Sequence, residues 1–155
     1  MMKHIDGDLI KLAKEGYFDV IAHGCNCFCT MGSGLAKQVA TEIPDAVKAD
    51  NCTTSGDINK LGNYTIGIIY NENNYPISKI YNCYSQYNYD ASTKPLDYEA
   101  LTLCLKKINH NNKDLRIGVP LIGSGLAGGD WNIIKQIIEK ELKDMDVTIV
   151  HYSKK

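Results

Sequence analysis

RIGVPLIGSGLAGGDWNII, residues 116–134, decides the fold. RIGVPLI is a nearly continuous apolar run, the pattern of a central strand buried on both faces of a sheet. The glycine loop GSGLAGG follows, and Trp131, Ile134, Ile137, Ile138 and Leu142 then recur at helical spacing. Strand, glycine loop, helix is a building unit of α/β sheets. The same order stands upstream in DVIAHGCNCFCTMGSGLAKQVATEI, residues 19–43. There DVIAH reads as a strand, Gly32-Ser33-Gly34 as the loop, and Leu35, Val39 and Ile43 as one face of a helix.

Working outward, Pro44 opens a further short helix through about Lys48–Asn51, since proline is tolerated in a first turn. Residues 61–70 and 79–84, rich in Tyr, Ile and Thr around an NENNYP turn, predict an antiparallel hairpin. From Pro95 onward Tyr98, Leu101, Cys104, Leu105 and Ile108 predict a helix, and VTIVHY at 147–152 the last strand. The expectation is a three-layer α/β/α sandwich with a mixed central sheet. The chain of 155 residues is the usual size of one domain, so 1–155 is read as a single unit.

Composition narrows the function. Seventeen basic residues against eighteen acidic give a net charge of −1, which excludes a strongly basic nucleic-acid binder. Arg116 is the only arginine, so any bound anion must be held largely by backbone. No segment approaches the ~20 apolar residues of a membrane span. The six cysteines do not space like a disulfide framework, and a reducing cytoplasm is the expected compartment.

In open α/β sheets ligands gather beyond the carboxyl ends of the strands, where helix N-termini present free N–H groups. Two glycine loops in that position suggest one shared site, although either could be only a tight turn. The second loop satisfies G-x-G-x-x-G at Gly123, Gly125 and Gly128, with Asp144 or Asp146 about twenty residues on. A dinucleotide-binding Rossmann domain needs further βα units after that fingerprint, however, and only one helix and one strand remain. There is no P-loop sequence either.

Gly7-Asp8-Leu9, IAHGCNCFCTMGSGLAKQV and VPLIGSGLAGGDW, in that order over about residues 4–152, resemble the macro domain, an ADP-ribose-binding module. Within that family the chain is similar to the branch containing ADP-ribose-1''-phosphate phosphatases and the terminal ADP-ribose protein glycohydrolase. The resemblance implies that Asp8, with Leu9, meets the adenine, whereas the residue by itself reads equally as a helix cap. It places Asn26 toward the distal ribose, against a plain turn role. It assigns the diphosphate and distal ribose to Gly32, Ser33 and Gly34 and to Gly123, Ser124, Gly125, Leu126 and Ala127, mainly through main-chain N–H groups. Tyr152 would stand beside the adenine.

For chemistry the expected groups are His23, at a strand end, and Asp130, at the rim of the second loop. Their plain alternatives are a histidine satisfied beneath the loop and the N-cap of the final helix. The family's glycohydrolases attack with a lysine after the central strand, where this chain has Tyr84-Ser85-Gln86-Tyr87, and Lys79 and Lys94 lie far along the sequence. That departure shifts weight to hydrolysis of ADP-ribose-1''-phosphate; the alternatives are removal of ADP-ribose from a modified macromolecule and binding without turnover. No cofactor is expected, and no metal, because Cys25, Cys27 and Cys29 lack the usual zinc spacing. An exposed Cys27 or Cys29 would be open to oxidation.

Overall fold

The computed structural model describes residues 2–125 and 127–153. Its elements in chain order are β1 (Lys3–Gly7), α1 (Leu9–Lys14), β2 (Val20–Cys25), α2 (Gly34–Glu42), α3 (Pro44–Asn51), β3 (Tyr64–Tyr70), β4 (Pro76–Tyr84), α4 (Tyr98–Asn111), β5 (Arg116–Val119), α5 (Trp131–Glu141) and β6 (Asp146–Tyr152). The strands form one sheet in the order β1-β6-β5-β2-β4-β3. Every pairing is parallel except β3 with β4, the predicted hairpin.

Alternation along the strands sends side chains to two cores. Val20, Ala22, Ile117, Val119 and Ile149 meet α4 and α5 on one face, through Leu101, Leu105, Ile108, Ile134 and Ile138. Ile21, Ile80 and Val150 meet α1, α2 and α3 on the other, through Leu9, Ile10, Val39 and Ala46. The expected sandwich with a mixed sheet is therefore the observed fold. Gly67 in β3 allows α3 to lie directly on the sheet, because a Cβ there would stand 2.7 Å from the Ala46 backbone.

Chain order explains where a site must lie. From β2 the chain moves one way, to β4 and β3; from β5 it moves the other way, to β6. β2 and β5 are neighbours, with Val20 opposite Ile117 and Ile21 opposite Gly118. The loops after them diverge across that point and open a crevice between them, the topological switch point of an α/β sheet.

Candidate functional site

The crevice has two connected compartments. The more polar one, of about 620 Å³, is lined by the loop after β2, the start of α2, and the loop after β5, with Gln86 and Tyr89 at one side. An apolar slot of about 420 Å³ lies between Gly7, Leu9, Gln38, Val150 and Tyr152. Gly34, Leu35, Pro120 and Leu121 border both. Each compartment has the size of a small-molecule site.

Charge and capping set what the polar compartment can hold. The described residues lining both compartments include no Lys, Arg, Asp or Glu. Arg116 lies at the opposite end of β5, where its guanidinium is 2.9 Å from Asp19 and holds that carboxyl below its usual range. Helices α1, α4 and α5 have their first N–H groups capped by Asp8, Asp97 and Asp130. Helices α2 and α3 differ: Ile43 has no side chain that could cap α3, which starts at Pro44, and Ser33, the N-cap of α2, makes no side-chain cap bond. The leading N–H groups of α2 have no intrahelical acceptor, and they open onto the crevice beside the exposed Ser33 hydroxyl.

The glycines keep that space open. A Cβ at Gly32, Gly34 or Gly125 would meet nothing within 4 Å. Gly34 has φ +57, a conformation unfavourable for other residues. The second loop is fixed from behind. Gly129 N–H donates to Gly123 O, Leu96 N–H donates to Ala127 O, and the Leu96 side chain fills the space beside Gly123 and Gly129. The cradle is thus wide and lined with main chain, as anion binding without arginine requires.

Of the expected binding residues, Asn26, Gly32, Ser33, Gly34, Gly123, Gly125 and Ala127 line the polar compartment, and Leu9 and Tyr152 the slot. Leu126 lies outside the described residues. Tyr152 is 64% exposed, so one face of its ring is available. Asn26 is engaged in the turn: its Nδ2 donates to Thr30 O and Oγ1, and its Oδ1 accepts from Phe28 N–H. One Oδ1 lone pair remains for a ligand. Asp8 stands behind the slot, its carboxylate accepting from the Ile10 and Lys11 N–H groups and from Gln38 Nε2. Ser124 turns its hydroxyl back to Leu121 O and does not line the crevice.

The two groups expected to do chemistry, His23 and Asp130, are each engaged in other bonds. His23 borders the crevice, but its ring faces α3, is 1% exposed, and donates from Nε2 to Asn82 Oδ1 at 2.6 Å. Burial lowers its pKa, partly offset by the Asn82 bond. Asp130 is exposed and accepts from Asn132 N–H as the cap of α5; it is not among the lining residues. These are the plain roles that the sequence also allowed. The thiols diverge: Cys25 Sγ lies 3.5 Å from His23 Nε2, Cys27 donates to Gln86 O, and Cys29 turns toward Thr53 and Asp50 O. Cys27 is wholly buried rather than exposed, and burial pushes its thiol up to about 11.

Sequence reasoning missed Thr30, Gln86 and Tyr89 in the polar compartment and Gln38 in the slot. The signal for Gln86 and Tyr89 was available, since they follow β4, the parallel neighbour of β2. Lys94 also proves nearer than its sequence position suggested: its side chain packs where a Cβ on Gly128 would stand, beside the second loop though outside the lining. The dinucleotide reading fails on geometry. Asp144 bonds Asn109 and Asp146 pairs with Lys3, both at the start of β6 and so at the end of the sheet away from the glycine loop.

No family model matches the chain. A 17.5 kDa uncharacterized protein from the tk-vs intergenic region of Enterobacteria phage T4 is 36% identical over 98% of this chain and 97% of its own length. An ADP-ribose 1''-phosphate phosphatase of Debaryomyces hansenii is 27% identical, over 90% of this chain and 93% of the relative. Among solved structures, a protein of unknown function from Bacteroides thetaiotaomicron superposes with a TM-score of 0.78 at 26% identity, covering 97% of this chain and 98% of that one. The macrodomain of Mycobacterium tuberculosis DarG superposes with a TM-score of 0.71 at 20% identity, covering 97% of each. Thermosipho africanus DarTG, solved in complex with ADP-ribose, does so with a TM-score of 0.73 at 18% identity, over 97% of this chain and 41% of that one.

Proposed function

We propose that this chain, whose fold is that of the macrodomains it superposes on, binds ADP-ribose 1''-phosphate in its crevice and hydrolyses it to ADP-ribose and phosphate. The observation that carries the reading is the uncapped N-terminus of α2 opening onto space that Gly32, Gly34 and Gly125 leave empty. The slot takes the adenine, between Leu9, Val150 and Tyr152. The α2 N–H groups and the second glycine loop take the diphosphate. Asn26, Thr30, Gln86 and Tyr89 then face the distal ribose and its terminal phosphate. The relative from Debaryomyces hansenii, spanning nearly the whole chain, supports this substrate.

Hydrolysis consumes one water, whose oxygen ends on the departing phosphate or on the sugar carbon. The lining residues offer dipoles and hydroxyls rather than charged acids or bases, so catalysis here rests on positioning and on N–H donors aimed at developing negative charge. In this proposal His23 holds the end of β2 through Asn82, and Asp130 holds the start of α5. Phosphate release from ADP-ribose 1''-phosphate by wild type, His23→Ala and Asp130→Ala tests it. Turnover by wild type supports the substrate, and loss of kcat at unchanged KM in either variant would return that residue to a direct chemical role.

The uncharged lining also favours a second reading, binding of ADP-ribose without turnover. Tight binding with no phosphate release separates it from the first. Removal of ADP-ribose from a modified macromolecule has less support, since no described lysine lines the crevice.

A further inference from the structure

On the far side of the strands that wall the apolar slot, two imidazoles meet. His4 of β1 and His151 of β6 approach with His4 Nδ1 3.0 Å from His151 Nε2, their ring centroids 5.3 Å apart and planes inclined by 37°. β1 and β6 are parallel neighbours with Asp6 opposite His151 and His4 opposite Ile149, so both histidines project from one face. Val150 and Tyr152 point the other way, into the slot. Neither histidine belongs to the crevice.

We propose that His4 and His151 form a binding site for a late first-row divalent cation. With metal–nitrogen bonds of about 2.0–2.1 Å, two cis imidazoles stand about 2.9 Å apart at a right angle and about 3.4 Å apart at a tetrahedral one. The observed 3.0 Å falls within that span. In the neutral pair one ring donates its N–H to the other. When the ion binds, the proton of the donor ring passes through water to that ring's other nitrogen; both facing nitrogens then carry lone pairs, and modest rotation of the two rings turns those lone pairs from facing to converging. Imidazole nitrogen selects Cu²⁺, Ni²⁺ and Zn²⁺ over Mg²⁺ and Ca²⁺, which prefer oxygen. Among the described residues no third His, Cys, Asp or Glu joins the pair, so water completes the coordination sphere. The bound ion staples the edge strand β1 to β6.

Untagged protein titrated with Ni²⁺ by calorimetry tests the site, with His4→Ala, His151→Ala and, as a control, His110→Ala on the surface of α4. Wild type and His110→Ala bind one equivalent. Each pair variant loses at least the roughly tenfold to hundredfold in affinity that removal of an outer-shell partner already costs. Ni²⁺ also raises the Tm of wild type by mass action, and neither Mg²⁺ with wild type nor Ni²⁺ with the pair variants does so. Absence of Ni²⁺ binding by wild type, or unchanged affinity in either pair variant, overturns the proposal.

Discussion

A glutamate at position 125 should separate binding from folding. The Cβ it introduces meets nothing within 4 Å, and the glycine it replaces is not in the left-handed region, so the fold has no reason to change. The side chain projects into the space proposed for the diphosphate. A carboxylate about 4 Å from a phosphate oxygen is repelled by roughly 4 kcal/mol at an effective dielectric of about 20, or about a thousandfold in Kd. Rotation of the side chain toward water lowers that figure, so the electrostatic loss should fall between about tenfold and a thousandfold. Gly125→Gln fills the same volume without charge and isolates the steric part. Calorimetry with ADP-ribose should show Glu weaker than Gln, and Gln weaker than wild type. At about 1 M salt, where the Debye length is near 3 Å, the gap between Glu and Gln should narrow. Unchanged affinity in both variants, with unchanged Tm, would refute the placement of the diphosphate.

Three further outcomes follow from named contacts. Asn82→Ala removes bonds to His23, Ala46 O and Thr65 Oγ1 in a fully buried place; at about 3 kcal/mol it should lower Tm by roughly 6–12 °C, and a fall of under 2 °C (~1 kcal/mol or less) in a melting curve would contradict the role given to it. Because burial lowers the pKa of His23, the unfolded chain binds a proton that the folded chain refuses, so stability is lost as pH falls through about 6.5. Denaturant titrations between pH 7 and 5 should therefore show a steeper loss for wild type than for His23→Gln, by at most about 1.4 kcal/mol per pH unit, and parallel curves would dismiss the linkage. Tyr152→Ala should weaken ADP-ribose by about 1–3 kcal/mol if the ring stacks on the adenine while leaving ribose 5-phosphate unaffected; equal loss for both ligands would place the ring elsewhere.

The strands and helices could be read from the sequence because each carries its period openly: RIGVPLI as a buried strand, and Ile134, Ile138 and Leu142 as a helix face. The shared crevice was also within reach, since two glycine loops after parallel strands must open at the same end of the sheet. What escaped was set by contacts across long separations. His23 finds Asn82 59 residues away, and no local pattern announces that the ring turns toward α3 rather than toward the crevice. Lys94 is far from the second loop in sequence and packs against it in space. Asp8 and Asp130 read as both caps and site residues, and capping geometry is what the fold displays. The missing cap on α2 had no sequence signal either, because serine is a good capping residue and only the structure shows that Ser33 does not cap.

Phosphate release on incubation of the untagged protein with ADP-ribose 1''-phosphate tests the proposed function most directly. The expected result is repeated turnover releasing ADP-ribose and phosphate in equal amounts, with kcat/KM lowered by Gly125→Glu. Binding of the compound at the crevice with no phosphate released would contradict it.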